Sequence, residues 1–261
     1  MPDAITARWE RVRAERRAAF IPYLTAGYPT PERSVEAFRM LERAGADLVE
    51  VGVPFSDPLA DGVTIQRSTQ TALEQGVTVP RVFESIARAA LGVPVVIMTY
   101  LNPVLAYGVP RFLADAAAAG ASGLLLTDFP AGADPELEAE VASSRLDLIR
   151  LIAPTTNPSR LARAVQGARG FIYFISRLGV TGVRDAVPQD LETHVKQVRA
   201  ATALPIAVGF GIANPAQAEQ AARAADGVVV GSALVEALGQ GLGVAERLAT
   251  ELAEAVRRVR R

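Results

Sequence analysis

The sequence predicts an α/β protein, a single (β/α)8 barrel of the TIM type spanning residues 1–261, and three observations carry that reading. Short runs rich in Val, Ile, Leu and Phe recur, each closed by Gly, Pro, Asp, Ser or Thr and followed by an Ala-, Glu- and Arg-rich stretch of helical period. The runs are continuously apolar, as parallel strands covered on both faces are. Eight strand and helix units of about 30 residues each fill the chain, the usual size of one closed barrel. A doubly wound open sheet is the alternative.

The opening segment, MPDAITARWERVRAERRAAF, lacks the unbroken apolar stretch of a secretory signal and reads as a short amphipathic helix with Ile5, Trp9 and Val12 on one side. Strands are predicted at Phe20 to Thr25, Asp47 to Val53, Val95 to Tyr100, Gly123 to Thr127, Leu148 to Ile152, Phe171 to Ser176, Pro205 to Gly209 and Gly227 to Gly231. The widest gap follows the second strand. It holds the loop VPFSDPLADG and two helical segments, Val63 to Gln75 and Pro80 to Ala90, an enlarged insertion at the end of the strands where barrels place their chemistry. No linker, charge run or repeat divides the chain.

Composition narrows the function. Half of the residues are hydrophobic, which argues against disorder, and 27 basic against 28 acidic residues give a net charge of -1. Such a balance provides no field for holding nucleic acid or an anionic membrane surface. The longest apolar stretch, Val93 to Leu105, is broken by Pro94, Thr99, Asn102 and Pro103, short of the roughly 20 residues that span a bilayer. A soluble, cytoplasmic protein is expected. There is no cysteine, and the single lysine, Lys196, and single histidine, His194, fall in LETHVKQVRA, an outer helix away from the rim. A Schiff-base lysine and a His/Cys zinc site are therefore not expected, and a lyase on this barrel would run on carboxylates without metal or cofactor.

The candidate carboxylates lie on one rim. Glu50, between Val49 and Val51, points to the opposite face from those valines. If they pack outward, Glu50 enters the barrel with a raised pKa suited to proton transfer; the plainer reading is a strand-end Glu reaching solvent or an Arg. Asp57 and Asp61 sit in the Pro- and Gly-rich loop SDPLADG, where turn formation or helix capping competes with chemistry. Asp128, closing the fourth strand, is a third rim carboxylate with a structural role equally open. Three glycine-bearing loops, SRLGVTG, GFGIANP and GSAL, follow the last three strands, and Gly182, Gly211, Gly231 and Ser232 are candidate amide donors to a phosphate. GFGIAN lacks the third glycine of a dinucleotide fingerprint and comes late in the chain, which rejects a Rossmann reading.

At VEVGVPFSDPLADG the chain resembles the tryptophan synthase alpha subunit family, and the resemblance runs from FIPYLTAGYP through SRLGVTG and GFGI to GSALV. It implies a β/α barrel that cleaves indole-3-glycerol phosphate to indole and glyceraldehyde 3-phosphate by a retro-aldol reaction. It also implies a pyridoxal phosphate-dependent beta subunit as partner, in an alpha2-beta2 heterotetramer, with no cofactor in this chain. By position, Glu50 takes the place of the family's catalytic glutamate and Asp61 that of its aspartate. Tyr173 falls beside the glutamate, Tyr23, Met98, Tyr100 and Leu125 line the indole pocket, and Gly182, Gly211, Gly231 and Ser232 hold phosphate. Thr181 belongs to a mobile lid, SRLGVTGVRDAV, that closes near Asp61. Pro54 to Pro58 and Asn102 to Tyr107 resemble regions facing the beta subunit. Tyr28 and Leu178 depart from some members without removing a catalytic or phosphate-binding group. A stand-alone lyase and a non-catalytic activator of a beta-type partner are the alternatives.

Overall fold

The computed structural model describes residues 3–175, 190–209 and 211–260. Its eight strands are β1 Ala19–Thr25, β2 Val49–Gly52, β3 Val95–Thr99, β4 Ala121–Leu126, β5 Asp147–Ile152, β6 Ile172–Ile175, β7 Ile206–Gly209 and β8 Gly227–Val230. Neighbours pair in parallel in chain order and β8 returns to β1, which closes the barrel and excludes the open sheet. Helix α1 is Ala4–Ala14, α2 is Pro31–Arg43, and the insertion after β2 contributes α3, Val63–Glu74, and α4, Val79–Ala89. Then follow α5 Leu101–Tyr107, α6 Val109–Ala118, α7 Pro135–Ser143, α8 Pro158–Ala164, α9 Leu191–Arg199, α10 Pro215–Ala224, α11 Ser232–Gln240 and α12 Leu242–Arg258.

Strand alternation sorts the core into two layers. Val49, Val51, Ile97, Leu124 and Leu126 pack between the strands and the outer helices. Leu48, Val96, Leu125, Ile149, Tyr173, Ala207 and Val229 fill the barrel interior together with Ile5, Trp9 and Val12 of α1. Asp3 starts α1 by accepting from the Thr6 amide at 2.7 Å, and the helix plugs the N-terminal end of the barrel, where Trp9 lies 5.7 Å from the Phe171 ring. With that floor sealed, the accessible end is the rim at the strand C-termini.

Several predicted boundaries shift for identifiable reasons. Asp47 lies outside β2: its carboxylate receives both outer guanidinium nitrogens of Arg17 at 2.7 Å and the Phe20 amide at 3.0 Å, tying the strand bottoms together. Tyr100 is the N-cap of α5 and Gly231 that of α11. His194 is less exposed than a surface position implies, with its ring 6.0 Å from Phe174, whereas Lys196 is solvent-facing and paired with Glu192 at 2.7 Å.

Candidate active site

Glu50 occupies the inner face of β2, level with Tyr23 on β1 and Val96 on β3. It is only 1% exposed, and among the described residues it has no ion pair and its buried Oε1 has no hydrogen-bond partner. Burial, reinforced by the negative charge of Asp61, pushes its carboxyl up to about 8. A carboxyl in that state is protonated near neutrality.

The loop after β2 brings Asp61 back over the barrel mouth through a turn in which the Asp61 amide donates to the Pro58 carbonyl at 3.0 Å. Asp61 is 7% exposed. The Tyr100 hydroxyl donates to its Oδ2 at 3.1 Å while accepting from the Ala60 amide at 2.9 Å, and the Tyr100 ring lies 5.3 Å from Phe55. Burial lifts the Asp61 carboxyl to about 6, and the Tyr100 hydrogen bond moderates the rise. Near neutral pH one carboxyl is thus protonated and its neighbour ionised, the separation by which acid and base roles are assigned.

Tyr23 and Tyr173 close the walls, and burial raises both phenols well above their ordinary range. Each lies against a glycine: a Cβ on Gly52 would overlap the Tyr23 hydroxyl, and one on Gly209 would overlap that of Tyr173. Met98 is half-buried, level with Gly52 and Leu125, and Leu125 is sealed in the inner core. Gly231 begins α11 with no side-chain cap, so the helix N-terminus presents Ser232 and backbone amides at the rim, and Gly211 holds φ +79° in the neighbouring loop. Thr181 and Gly182, with the rest of SRLGVTGVRDAV including Leu178, lie outside the described residues.

The other two rim carboxylates make local hydrogen bonds. Asp128 accepts from the Leu101 amide at 2.7 Å and starts α5; exposed Asp57 accepts from Ser56 at 2.5 Å. Sequence reasoning missed Thr25 and Ser68, buried polar residues hydrogen-bonded to each other at 2.7 Å beside the Tyr23 hydroxyl. Strand alternation puts Thr25 on the face of Tyr23 and signals it; nothing in the sequence joins Ser68 to either. No group of three or more metal-ligating His, Cys, Asp or Glu side chains occurs among the described residues.

A closed (β/α)8 barrel whose open rim holds two buried carboxyls of opposite protonation belongs to the class of barrel enzymes equipped for acid–base chemistry. The family model of the tryptophan synthase alpha chain matches residues 9–261, and the chain belongs to that family. A tryptophan synthase alpha chain of Citrifermentans bemidjiense is 48% identical over 89% of this chain and 88% of its own length. One from Nocardia farcinica is 48% identical over 94% and 92%. A structure of Mycobacterium tuberculosis tryptophan synthase superposes with a TM-score of 0.93 at 44% identity, covering 99% of this chain and all of that one. A Legionella pneumophila tryptophan synthase subunit alpha gives 0.90 at 32% identity, with the same coverage. The chain is accordingly a lyase of tryptophan biosynthesis that cleaves indole-3-glycerol phosphate.

Proposed function

We propose that Glu50 carries the protons of this cleavage and that Asp61 supplies the fixed negative charge. The observation that carries the reading is the Glu50 carboxyl itself, buried, with no partner for Oε1 among the described residues and next to a second carboxyl. Glu50 gives its proton to indole C3, which turns the ring into an indolenine cation. The resulting carboxylate takes the proton of the glycerol hydroxyl, the carbon–carbon bond breaks, and its electron pair flows into the ring to restore indole while the glycerol carbon becomes the aldehyde of glyceraldehyde 3-phosphate. Glu50 ends as it began, so protons balance over the cycle. Ionised Asp61 stabilises the cationic ring nitrogen as charge develops, from a position already fixed by Tyr100.

Tyr23, Met98, Tyr100, Leu125 and Tyr173 form the walls of the indole pocket in this reading. Gly211, Gly231 and Ser232, with Gly182, hold the phosphate through amides and a helix end. Thr181 belongs to the lid that excludes water. The chain uses no cofactor; pyridoxal phosphate belongs to the beta subunit, with which it forms an alpha2-beta2 heterotetramer in the cytoplasm. Pro54 to Pro58 and Asn102 to Tyr107 face that subunit, and exposed Leu59 and Leu105 are apolar groups suited to being covered there. No helix among the described residues is long and apolar enough to cross a membrane.

The test measures indole released from indole-3-glycerol phosphate by the pure chain, with and without its beta subunit. Slow release alone and strong acceleration by the partner are expected. Full turnover alone would make the chain a stand-alone lyase. An inactive Glu50→Gln, Asp61→Asn double variant that still activates the beta subunit would show binding and catalysis to be separable, and unchanged indole release by that variant would refute the assignment.

A further inference from the structure

The hydroxyls of Tyr23, Thr25 and Ser68 form a chain with a single direction. Ser68 Oγ donates to the Ile65 carbonyl of α3 at 2.8 Å, which commits its one proton. In the 2.7 Å contact between Thr25 and Ser68 the threonine must therefore donate. Thr25 then has no proton left, and the Tyr23 hydroxyl donates to it across 3.3 Å. All three side chains are buried, Thr25 and Ser68 to 1% exposure, where an unmade hydrogen bond is costly.

Both ends of this chain meet the site. Tyr23 pairs in register with Glu50, and its ring lies between β2 and β8, with its hydroxyl against Gly52 and its Cδ1 3.2 Å from where a Cβ on Gly231 would stand. At the other end, Ile65 lies in the first turn of α3, which starts at Val63, directly after Asp61 and the N-cap Gly62. Gln66 in the same turn donates to the Asp61 carbonyl at 2.8 Å. Tyr100 holds the Asp61 carboxylate from the β3 side, and α3 holds its backbone.

We propose that Tyr23, Thr25 and Ser68 are positioning residues whose hydroxyl chain locks the first turn of α3 to the barrel wall and so sets where the Asp61 carboxylate stands relative to Glu50. This rests on the reading of Asp61 as the group that stabilises the indolenine charge. Because the Tyr23 proton is committed to Thr25, its oxygen offers only lone pairs to the pocket.

The experiment compares kcat, KM and the pH profile of kcat/KM for indole formation, with saturating beta subunit, in the wild type, Thr25→Val, Thr25→Ser, Ser68→Ala and Asp61→Asn. Thr25→Val and Ser68→Ala are each expected to lower kcat about tenfold, the size of one buried hydrogen bond, with KM changed less than about twofold. Thr25→Ser keeps the hydroxyl and restores kcat to within about twofold. Combining Thr25→Val with Ser68→Ala costs no more than the worse single change, because both break one chain. The acidic limb of the profile moves in Thr25→Val and Ser68→Ala, since among the described titratable groups Asp61 interacts with Tyr100 at the N-cap of α5, Tyr23 from β1, Glu50 from β2 and Tyr173 from β6. Loosened packing alone would lower Tm and leave that limb in place. Wild-type kcat and limb in Thr25→Val and Ser68→Ala would overturn the proposal, as would a Thr25→Ser variant as impaired as Thr25→Val. If these variants are normal while Asp61→Asn is impaired, the positioning chain alone fails; if Asp61→Asn itself is normal, the reading of Asp61 fails and takes the chain with it.

Discussion

At the floor of the barrel buried Asp47 is gripped by both outer nitrogens of Arg17 at 2.7 Å, whereas at the rim Glu50 and Asp61 are comparably buried and have no ion pair among the described residues. Asp147, also at the floor, is intermediate: Arg169 Nε lies 3.4 Å from its Oδ1, but burial and the neighbouring charge of Asp3 push its carboxyl up to about 7. Arginine is plentiful in this chain, yet no described arginine pairs with either rim carboxyl, a property of the arrangement and not of supply. The Arg17–Asp47 pair joins the bottoms of the strands and serves architecture. A buried carboxyl left without a cation keeps its proton within reach of neutral pH, at a cost to stability that the chemistry requires.

The largest effect expected from breaking this contrast is at Glu50. Glu50→Gln removes both proton transfers and should lower indole formation by about 10⁴-fold, at the upper end for acid–base catalysis, with the fold retained by circular dichroism. Its stability should move the other way. The folded pKa of about 8 lies above the ordinary 4.5, so the stability associated with protonated Glu50 is fully present below pH 4.5 and is lost as pH rises through 8. Thermal melts should therefore show Glu50→Gln more stable than the wild type at pH 9 and converging with it at pH 5.

The next effect is at the floor. Arg17→Met removes the close ion pair and leaves the buried Asp47 carboxylate only the Phe20 amide and Arg8 Nη1 at 4.0 Å, and should cost about 3 kcal/mol in denaturant unfolding. The folded fraction should keep kcat within about twofold, because the pair touches no reacting group. A smaller effect is expected at Asp147, whose Arg169 neighbour is 37% exposed and partly screened. Its raised pKa means stability present below 3.8 and lost as pH rises through 7, so Asp147→Asn should flatten the pH dependence of Tm between those values by the equivalent of about 1–2 kcal/mol.

Much of this contrast was legible in the sequence. Apolar runs separated by helical stretches identify the barrel, and Glu50 between two valines follows from strand alternation, because Val49 and Val51 do pack outward. The gap after the second strand marks the α3 and α4 insertion. What sequence could not show depends on groups far apart along the chain. Asp47 reads as strand until Arg17 is seen against it, and Asp61 reads as a turn former until the Tyr100 hydroxyl arrives from the N-cap of α5. Asp57 and Asp61 share one loop and one residue type, yet only Asp61 is turned into the barrel mouth. The hydroxyl chain from Tyr23 to Ser68 likewise needs β1 and α3 to be adjacent before it exists.

The pH dependence of kcat/KM for indole formation, measured with saturating beta subunit, tests most directly whether the two buried carboxyls in opposite protonation states do the chemistry. The account predicts a bell with an acidic limb near 6, where Asp61 must be ionised, and a basic limb near 8, where Glu50 must keep its proton. Asp61→Asn should abolish the acidic limb and move the basic one to lower pH, because the Asp61 charge that helps raise the Glu50 carboxyl is gone. A flat profile across that range, or an acidic limb unchanged in Asp61→Asn, would contradict it.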